Sequence, residues 1–328
     1  MLKQRILTAL VLVAVLLPAL AAQAAWPFAL LTLLFVGAAG WEWSRLNQAP
    51  GWRAWVLAGA VVGAGVFMAH RLGLPVWQAH VGQTAASVSA HIHAWGEAPV
   101  GFLVPGWVWW LGAALWIPFT ALMLRWGSAH WMSVPQDLRR VLGLVFLVLA
   151  WLALVDGRAQ GLNFLLSVFC LVWAADIGAY FGGRAYGRRK LAPTISPGKS
   201  WEGVWAGGVT VLLVAALWVL VDRHGFADSP SLYSRLWSGL GPVGAVLALI
   251  VLIAMSVAGD LVESLVKRQA GVKDSSQLLP GHGGVLDRVD ACLERDLDAI
   301  GAALCVVGGQ RQSGRPAHDA APGTAGAA

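Results

Sequence analysis

The stretch KDSSQLLPGHGGVLDRVD, residues 273–290, gathers three aspartates, a histidine, two bases and three glycines into eighteen positions. Carboxylates set among lysines and arginines suit a divalent cation and the phosphates that accompany it. Mg²⁺ takes a few hard carboxylate oxygens and fills its other positions from water and phosphate. The bases neutralise phosphate oxygens, and a glycine loop offers backbone N–H donors at close range. Asp287 and Asp290 stand three apart, so one helical turn aims both carboxylates the same way. Upstream, Asp260, Ser264, Lys267 and Arg268 recur at i, i+4, i+7 and i+8, which is one face of a helix. Between these groups lies PGHGG, whose glycines are free to adopt positive φ. A second polar segment, 176–202, also begins with an aspartate, Asp176, at the end of an apolar run, and it carries Lys199 and Glu202. The residue types predict a nucleotide–metal site, with Lys199 and Glu202 as candidates to join it.

The elements that must position this chemistry are apolar. Of 328 residues, 58% are hydrophobic and only 12% are charged, about half the charged share of a soluble domain. Apolar runs at about 6–22, 26–43, 54–70, 107–124, 140–155, 161–181, 203–221 and 238–258 are long enough, or nearly so, to cross about 30 Å of hydrocarbon as helices. An open sheet would leave backbone groups unpaired in lipid. The fold class expected is an all-α, polytopic transmembrane bundle of eight or nine spans. The first run resembles a secretory signal, with a basic start and A-x-A at Ala22–Ala24, but a second apolar run begins at Trp26. An uncleaved first helix is the reading adopted.

Net charge is +6, yet the placement of the bases points away from nucleic acid. With a cytoplasmic N-terminus and eight alternating spans, one side holds Lys3, Arg5, Arg45, Arg53, Arg125, Arg139, Arg140, Arg184, Arg188, Arg189, Lys190, Lys199, Lys267, Arg268, Lys273 and Arg288. The other holds only Arg71, Arg158, Arg223 and Arg235. That is the positive-inside bias. It places both polar segments in the cytoplasm of a bacterial inner-membrane type of cell membrane, beside the nucleotide pool.

Three regions result: N-terminal transmembrane helices over 1–155, a catalytic transmembrane region over 156–309 containing 176–202 and 260–290, and a tail over 310–328 whose Ala/Gly/Pro content predicts disorder. Residues 73–105 read as a non-cytoplasmic loop or a surface-lying helix. Other motifs carry less. GKS at 198–200 lacks the Walker A glycine, since position 193 is proline, and no strand is expected before it. GGRAYG at 182–187 reads as a helix end and turn. HIH at 91–93 has no third ligand nearby. Cys170, Cys292 and Cys305 form neither a disulfide framework nor a metal spacing.

The run SLVKRQAGVKDSSQLLPGHGGVLDRVD, 264–290, resembles the hallmark motif of the phosphatidate cytidylyltransferases, the CDP-diacylglycerol synthases. That motif reads S-x-x-K-R, then K-D, P-G-H-G-G and D-R-x-D. Ser264, Lys267, Arg268, Lys273, Asp274, Pro280, His282, Gly283, Gly284, Asp287, Arg288 and Asp290 all fit. DIGAYFGG and KLAPTISPGKSWEG resemble a second block of the family. The resemblance implies transfer of CMP from CTP to phosphatidic acid within membrane lipid, Mg²⁺ alone or with a second cation, and a homodimer. It implies Asp260, Asp287 and Asp290 as metal ligands and, with Lys267, as the catalytic set. Ser264, Arg268, Lys273, His282, Gly283, Gly284 and Arg288 would meet substrate, with Ser196, Lys199 and Ser200 as second-tier contacts.

One departure concerns the end of the chain. The family follows D-R-x-D with an apolar helix, whereas Glu294, Arg295, Asp296 and Asp298 interrupt that run here. Three other readings stay open: a transferase acting on another lipid phosphate of isoprenoid-ether type, a secondary transporter with an acidic relay, and a scaffold. Acids at span ends rather than at the bilayer midplane, and the absence of an internal repeat, weigh against the transporter.

Overall fold

The computed structural model describes residues 2–22, 24–74, 76, 104–127, 131–225, 227–281 and 283–289. Most of 73–105, the HIH triplet, His282, Asp290, Cys292, Cys305 and the tail lie outside the described residues. Within them the chain forms α1 (Leu2–Ala21), α2 (Trp26–Leu46), α3 (Gly51–Arg71), α4 (Gly106–Trp126), α5 (Gln136–Ala159), α6 (Leu162–Tyr186), α7 (Trp201–Asp222) and α8 (Leu232–Gln269). A four-residue turn of helix, α9 (Leu286–Val289), follows. Each long helix contains one of the eight apolar runs. The chain is an all-α polytopic membrane protein, and α3 to α8 are each long and apolar enough to cross a bilayer.

The helix ends are set by ordinary local chemistry. Pro50, Pro105 and Pro135 precede α3, α4 and α5, where a fixed φ and a missing N–H cost nothing. Ser200 caps α7 by accepting from the Gly203 N–H, and Ser231 caps α8 by accepting from Ser234 N–H. Gly241, with φ +70, and Pro242 kink α8 near its start.

Between α6 and α7 the backbones come unusually close, because glycines face small residues across the contact. A Cβ on Gly182 would lie 2.1 Å from the Ala206 Cβ, and one on Gly207 would lie 2.6 Å from the Ala175 carbonyl oxygen. Helices in lipid gain no hydrophobic drive from meeting each other, so dispersion across such small-residue seams holds them together. At one end of the bundle, buried Asp222 of α7 accepts from Asn163 Nδ2 (3.0 Å), Ser231 N (3.0 Å), Ser234 Oγ (2.6 Å) and Ser231 Oγ. This knot ties the start of α6 to the end of α7 and the start of α8.

At the other end the segment 176–202 differs from its reading. Helix α6 continues through Gly182 and Gly183 to Tyr186, so only Gly187 ends it. A two-stranded antiparallel hairpin follows, β1 (Lys190–Ala192) with β2 (Ser196–Ser200). GKS therefore does sit on a strand that runs into a helix, contrary to expectation. Pro193 still occupies the position where a Walker A loop needs glycine.

The α6–α7 seam makes a specific demand. Gly182→Ala should destabilise the solubilised protein by about 1–3 kcal/mol through overpacking. Gly208→Ala, where a Cβ meets nothing within 4 Å, should not lower the thermal unfolding midpoint and should raise it slightly.

Candidate active site

Helix α8 runs past its apolar stretch, and this extension carries Asp260, Glu263, Ser264, Lys267 and Arg268 to the rim of the bundle. Gly271, with φ +71, stops it. The polar residues then fall into two groups, joined by α8.

The first group lines a cavity of about 450 Å³ between α6, β2, α7 and α8. Asp176, Arg184, Lys199, Ser200 and Asp260 supply its polar wall. Gly183, Gly203, Gly207, Val204, Ile253 and Val257 supply the apolar one. Lys199 on β2 forms an ion pair with Asp260 on α8. Ser200, counted among the substrate contacts, also caps α7. Arg184 is shared with a second, more open cavity of about 750 Å³, bordered by Arg188, Arg189, Trp201, Glu202 and Trp205. The Glu202 carboxylate accepts from the backbone N–H groups of Arg188 and Arg189, which fixes the turn that presents their side chains.

The second group is built around the glycine loop. Lys267 lies between two carboxylates, 2.7 Å from Glu263 Oε1 and 3.1 Å from Asp287 Oδ1. Asp287 also accepts from Ser275 N–H (2.9 Å) and Gly284 N–H (2.9 Å). Burial alone would push the Asp287 carboxyl up. The Gly284 N–H, the Lys267 ammonium and the Ser275 N–H outweigh burial and hold it below the ordinary aspartate value of 3.8. The loop closes on itself where Leu279 and Gly283 exchange backbone hydrogen bonds of 2.9 and 3.2 Å. Gly281 (φ +78) and Gly283 (φ +91) take the positive φ that the sequence predicts for PGHGG. Thr8 of α1 donates to the Pro280 carbonyl at 3.0 Å, so the first helix also touches this loop.

Two acids missing from the sequence reading hold this second group. Glu263 is 4% exposed and is the i, i+4 partner of Lys267. Glu42, near the end of α2, is fully buried. Its carboxylate accepts from Ser275 Oγ (2.9 Å), Val285 N (2.9 Å), Ser276 Oγ and Leu286 N. The available signal was an acid inside an apolar run, which is expensive in a membrane and marks function by default.

Of the remaining candidates, Ser196 opens β2 and Ser264 is partly exposed on α8. Arg268 and Lys273 are exposed at the rim. Asp287 and Arg288 lie on the α9 turn. Among the described residues no three His, Cys, Asp or Glu side chains form a metal-enclosing group. Asp176 and Asp260, on the wall of one cavity, fit the more open mode of magnesium, which keeps one or two carboxylates and takes its other ligands from phosphate and water.

This arrangement can bind a chain of phosphates. It offers cations held by defined partners, carboxylates for a hard metal, and an apolar wall. Comparison with known proteins agrees. The model of the cytidylyltransferase family matches residues 3–294. The chain is 37% identical over 313 residues to a phosphatidate cytidylyltransferase of Haemophilus influenzae, covering 89% of this chain and 94% of that one. It is 39% identical over 299 residues to a phosphatidate cytidylyltransferase of Pseudomonas aeruginosa, covering 89% and 93%. A protein of the same name from Brucella suis is 44% identical over 130 residues, 40% of this chain and 43% of that one.

The lysine between two acids carries a stability prediction. Lys267→Met should cost about 3–5 kcal/mol, because it strands buried Glu263 beside Asp287, and thermal unfolding in detergent would measure it. The depressed pKa of Asp287 fixes a sign. Its contribution is complete above 3.8 and is lost as pH falls through its still lower folded value. Loop protection in hydrogen exchange, corrected for intrinsic rates, should therefore not change between pH 5 and 8 on account of Asp287.

Proposed function

We propose that this chain, which belongs to the cytidylyltransferase family, transfers CMP from CTP to phosphatidic acid and releases pyrophosphate. The observation that carries the reading is the joining of Asp176, Arg184, Lys199 and Asp260 in one cavity with an apolar wall, in a chain similar along nearly nine tenths of its length to proteins named for that activity.

A phosphatidate oxygen attacks the α-phosphorus of CTP, the new P–O bond forms, and the bond to the β-phosphate oxygen breaks. Its electron pair leaves with pyrophosphate. Phosphatidate is already ionised, so no side chain has to remove a proton. The protein's task is to align two anions and to neutralise the charge that grows on the transferred and leaving groups. Arg184 and Lys199 meet phosphate oxygens in the inner cavity, while Arg188 and Arg189 meet the lipid phosphate at its outer neighbour. Trp201 and Trp205, both exposed, sit where interfacial tryptophans lie against head groups. Ser196, Ser264, Arg268 and Lys273 are further substrate contacts in this reading. Lys267 and Asp287 act by shaping the loop of Gly283 and Gly284.

Asp260 and Asp176, on the wall of one cavity, would hold Mg²⁺. A bound cation supplies Lewis-acid neutralisation of the phosphate oxygens. The N-terminus and the site face the cytoplasm in this reading. The bases of the α2, α6 and α8 C-terminal ends support it, since they gather at one end of the bundle under the positive-inside rule.

The test uses membranes containing the inserted protein, Mg²⁺, phosphatidic acid and CTP labelled at either the α- or the γ-phosphate. Label should enter lipid from the α position only. Asp260→Asn should lower the rate by about 100-fold or more. Absence of lipid label from well-inserted wild-type protein would overturn the assignment.

A further inference from the structure

Glu42 belongs to the N-terminal helices, more than 230 residues from the loop it touches. No sequence spacing links it to the site, and the chemistry described above makes no use of it. Its position is nonetheless specific. Two carboxylates hold the same two pieces of chain from different sides. Asp287 accepts from the backbone N–H groups of Ser275 and Gly284. Glu42 accepts from the hydroxyls of Ser275 and Ser276 and from the N–H groups of Val285 and Leu286. The segment 277–283, which contains most of PGHGG, is thus closed at its base by a pair of acids, one from the first half of the chain and one from the second.

The clasp leaves no room for error at Gly284. A Cβ there would lie 1.9 Å from Ser275 Oγ and 2.8 Å from both Glu42 carboxylate oxygens. Glu42 is fully buried, and its bonds from Val285 N–H and Leu286 N–H are costly to lose, because those buried donors would be left without water. A neutral residue of the same shape cannot replace it. A glutamine would keep one acceptor oxygen and turn an N–H₂ donor toward groups that are themselves donors.

We infer that Glu42 is a positioning residue of the transfer reaction, setting the glycine loop and the Asp287 carboxylate in register with the α8 lysine. The inference rests on the cytidylyltransferase reading for its kinetic consequence, but not for its structural one. The side chain does not touch the reacting groups. It acts through the loop, so its loss should lower turnover without emptying the substrate sites.

The experiment pairs Glu42→Gln with Ser276→Ala, a milder variant that removes one donor of the same clasp. Hydrogen exchange of the full-length protein in nanodiscs is followed at 273–289 and at the far end of the bundle, 222–235. Glu42→Gln should speed exchange of the Val285 and Leu286 amides by about 10- to 100-fold and leave 222–235 unchanged. Ser276→Ala should shift the same amides less, and the double variant should fall short of the product of the two effects. In the α-label assay kcat should fall by a similar factor, with the KM for CTP within about threefold of wild type. Wild-type exchange at Val285 and Leu286 in both variants would overturn the inference. Equal loosening at 222–235 would also overturn it, since Glu42 would then hold the bundle and not the loop. A wild-type protein that labels no lipid would sink the transferase reading, while the exchange comparison would still decide the clasp.

Discussion

An ionised carboxylate taken out of water must collect its partners from the protein, and the architecture of the rim follows from that requirement. Glu42, Glu263 and Asp287 are all wholly or largely buried at the end of an apolar bundle. Lys267 answers two of them, and four loop donors answer the third. Removing any one member would leave a charge or a donor stranded in a medium that cannot hydrate it. The loop between Ser275 and Leu286 therefore has one place to go, although little apolar packing holds its tip.

The two ends of the bundle use the same principle for different purposes. Around Asp222 the donors are Asn163, Ser231 and Ser234, and every partner belongs to a helix end. That knot consumes its own hydrogen-bonding capacity and fixes α6, α7 and α8 relative to one another. At the rim the cavity keeps charge of both signs on its wall, in Asp176, Arg184, Lys199 and Asp260. Between the two ends runs the α6–α7 glycine seam, where the helices touch backbone to side chain. A tight seam suits a cavity whose walls must hold their spacing while lipid moves against the outer face.

Hydropathy made the helices legible. Each of the eight apolar runs became a helix, because a segment in lipid must satisfy its backbone internally whatever its neighbours do. The glycine loop was legible for a similarly local reason, since positive φ at Gly281 and Gly283 is something the residue type announces. The hairpin at Lys190–Ser200 was not, for its strands are three and five residues long and carry no alternation that a period can detect. Lys199 was suspected but its partner was not known, because Asp260 lies on another element. Glu42 and Glu263 went unread for different reasons. Glu263 stands one turn from Lys267 and was hidden among aliphatic neighbours. The hydrogen bonds that Glu42 accepts from the loop come from residues more than two hundred positions away, which spacing cannot express.

The geometry ties the N-terminal helices to the glycine loop of the second half of the chain. Gly143 of α5 has no side chain, and a Cβ there would lie 2.0 Å from the Trp43 indole. That space admits Trp43, whose Nε1 donates to the Arg139 carbonyl at 3.0 Å and whose ring meets Trp131 edge-on at 6.2 Å. Trp43 is thereby fixed along the axis of α2, and Glu42, its neighbour in sequence, is fixed with it. Glu42 sets the base of the loop, the loop sets Asp287, and Asp287 shares Lys267 with Glu263. Each step is a packed contact or a hydrogen bond between buried or partly buried groups, so a displacement at Gly143 is passed on toward the loop. Helices α1, α2 and α5 are part of the apparatus that holds the loop, and a variant at Gly143 of α5 belongs in the same class as one in the loop.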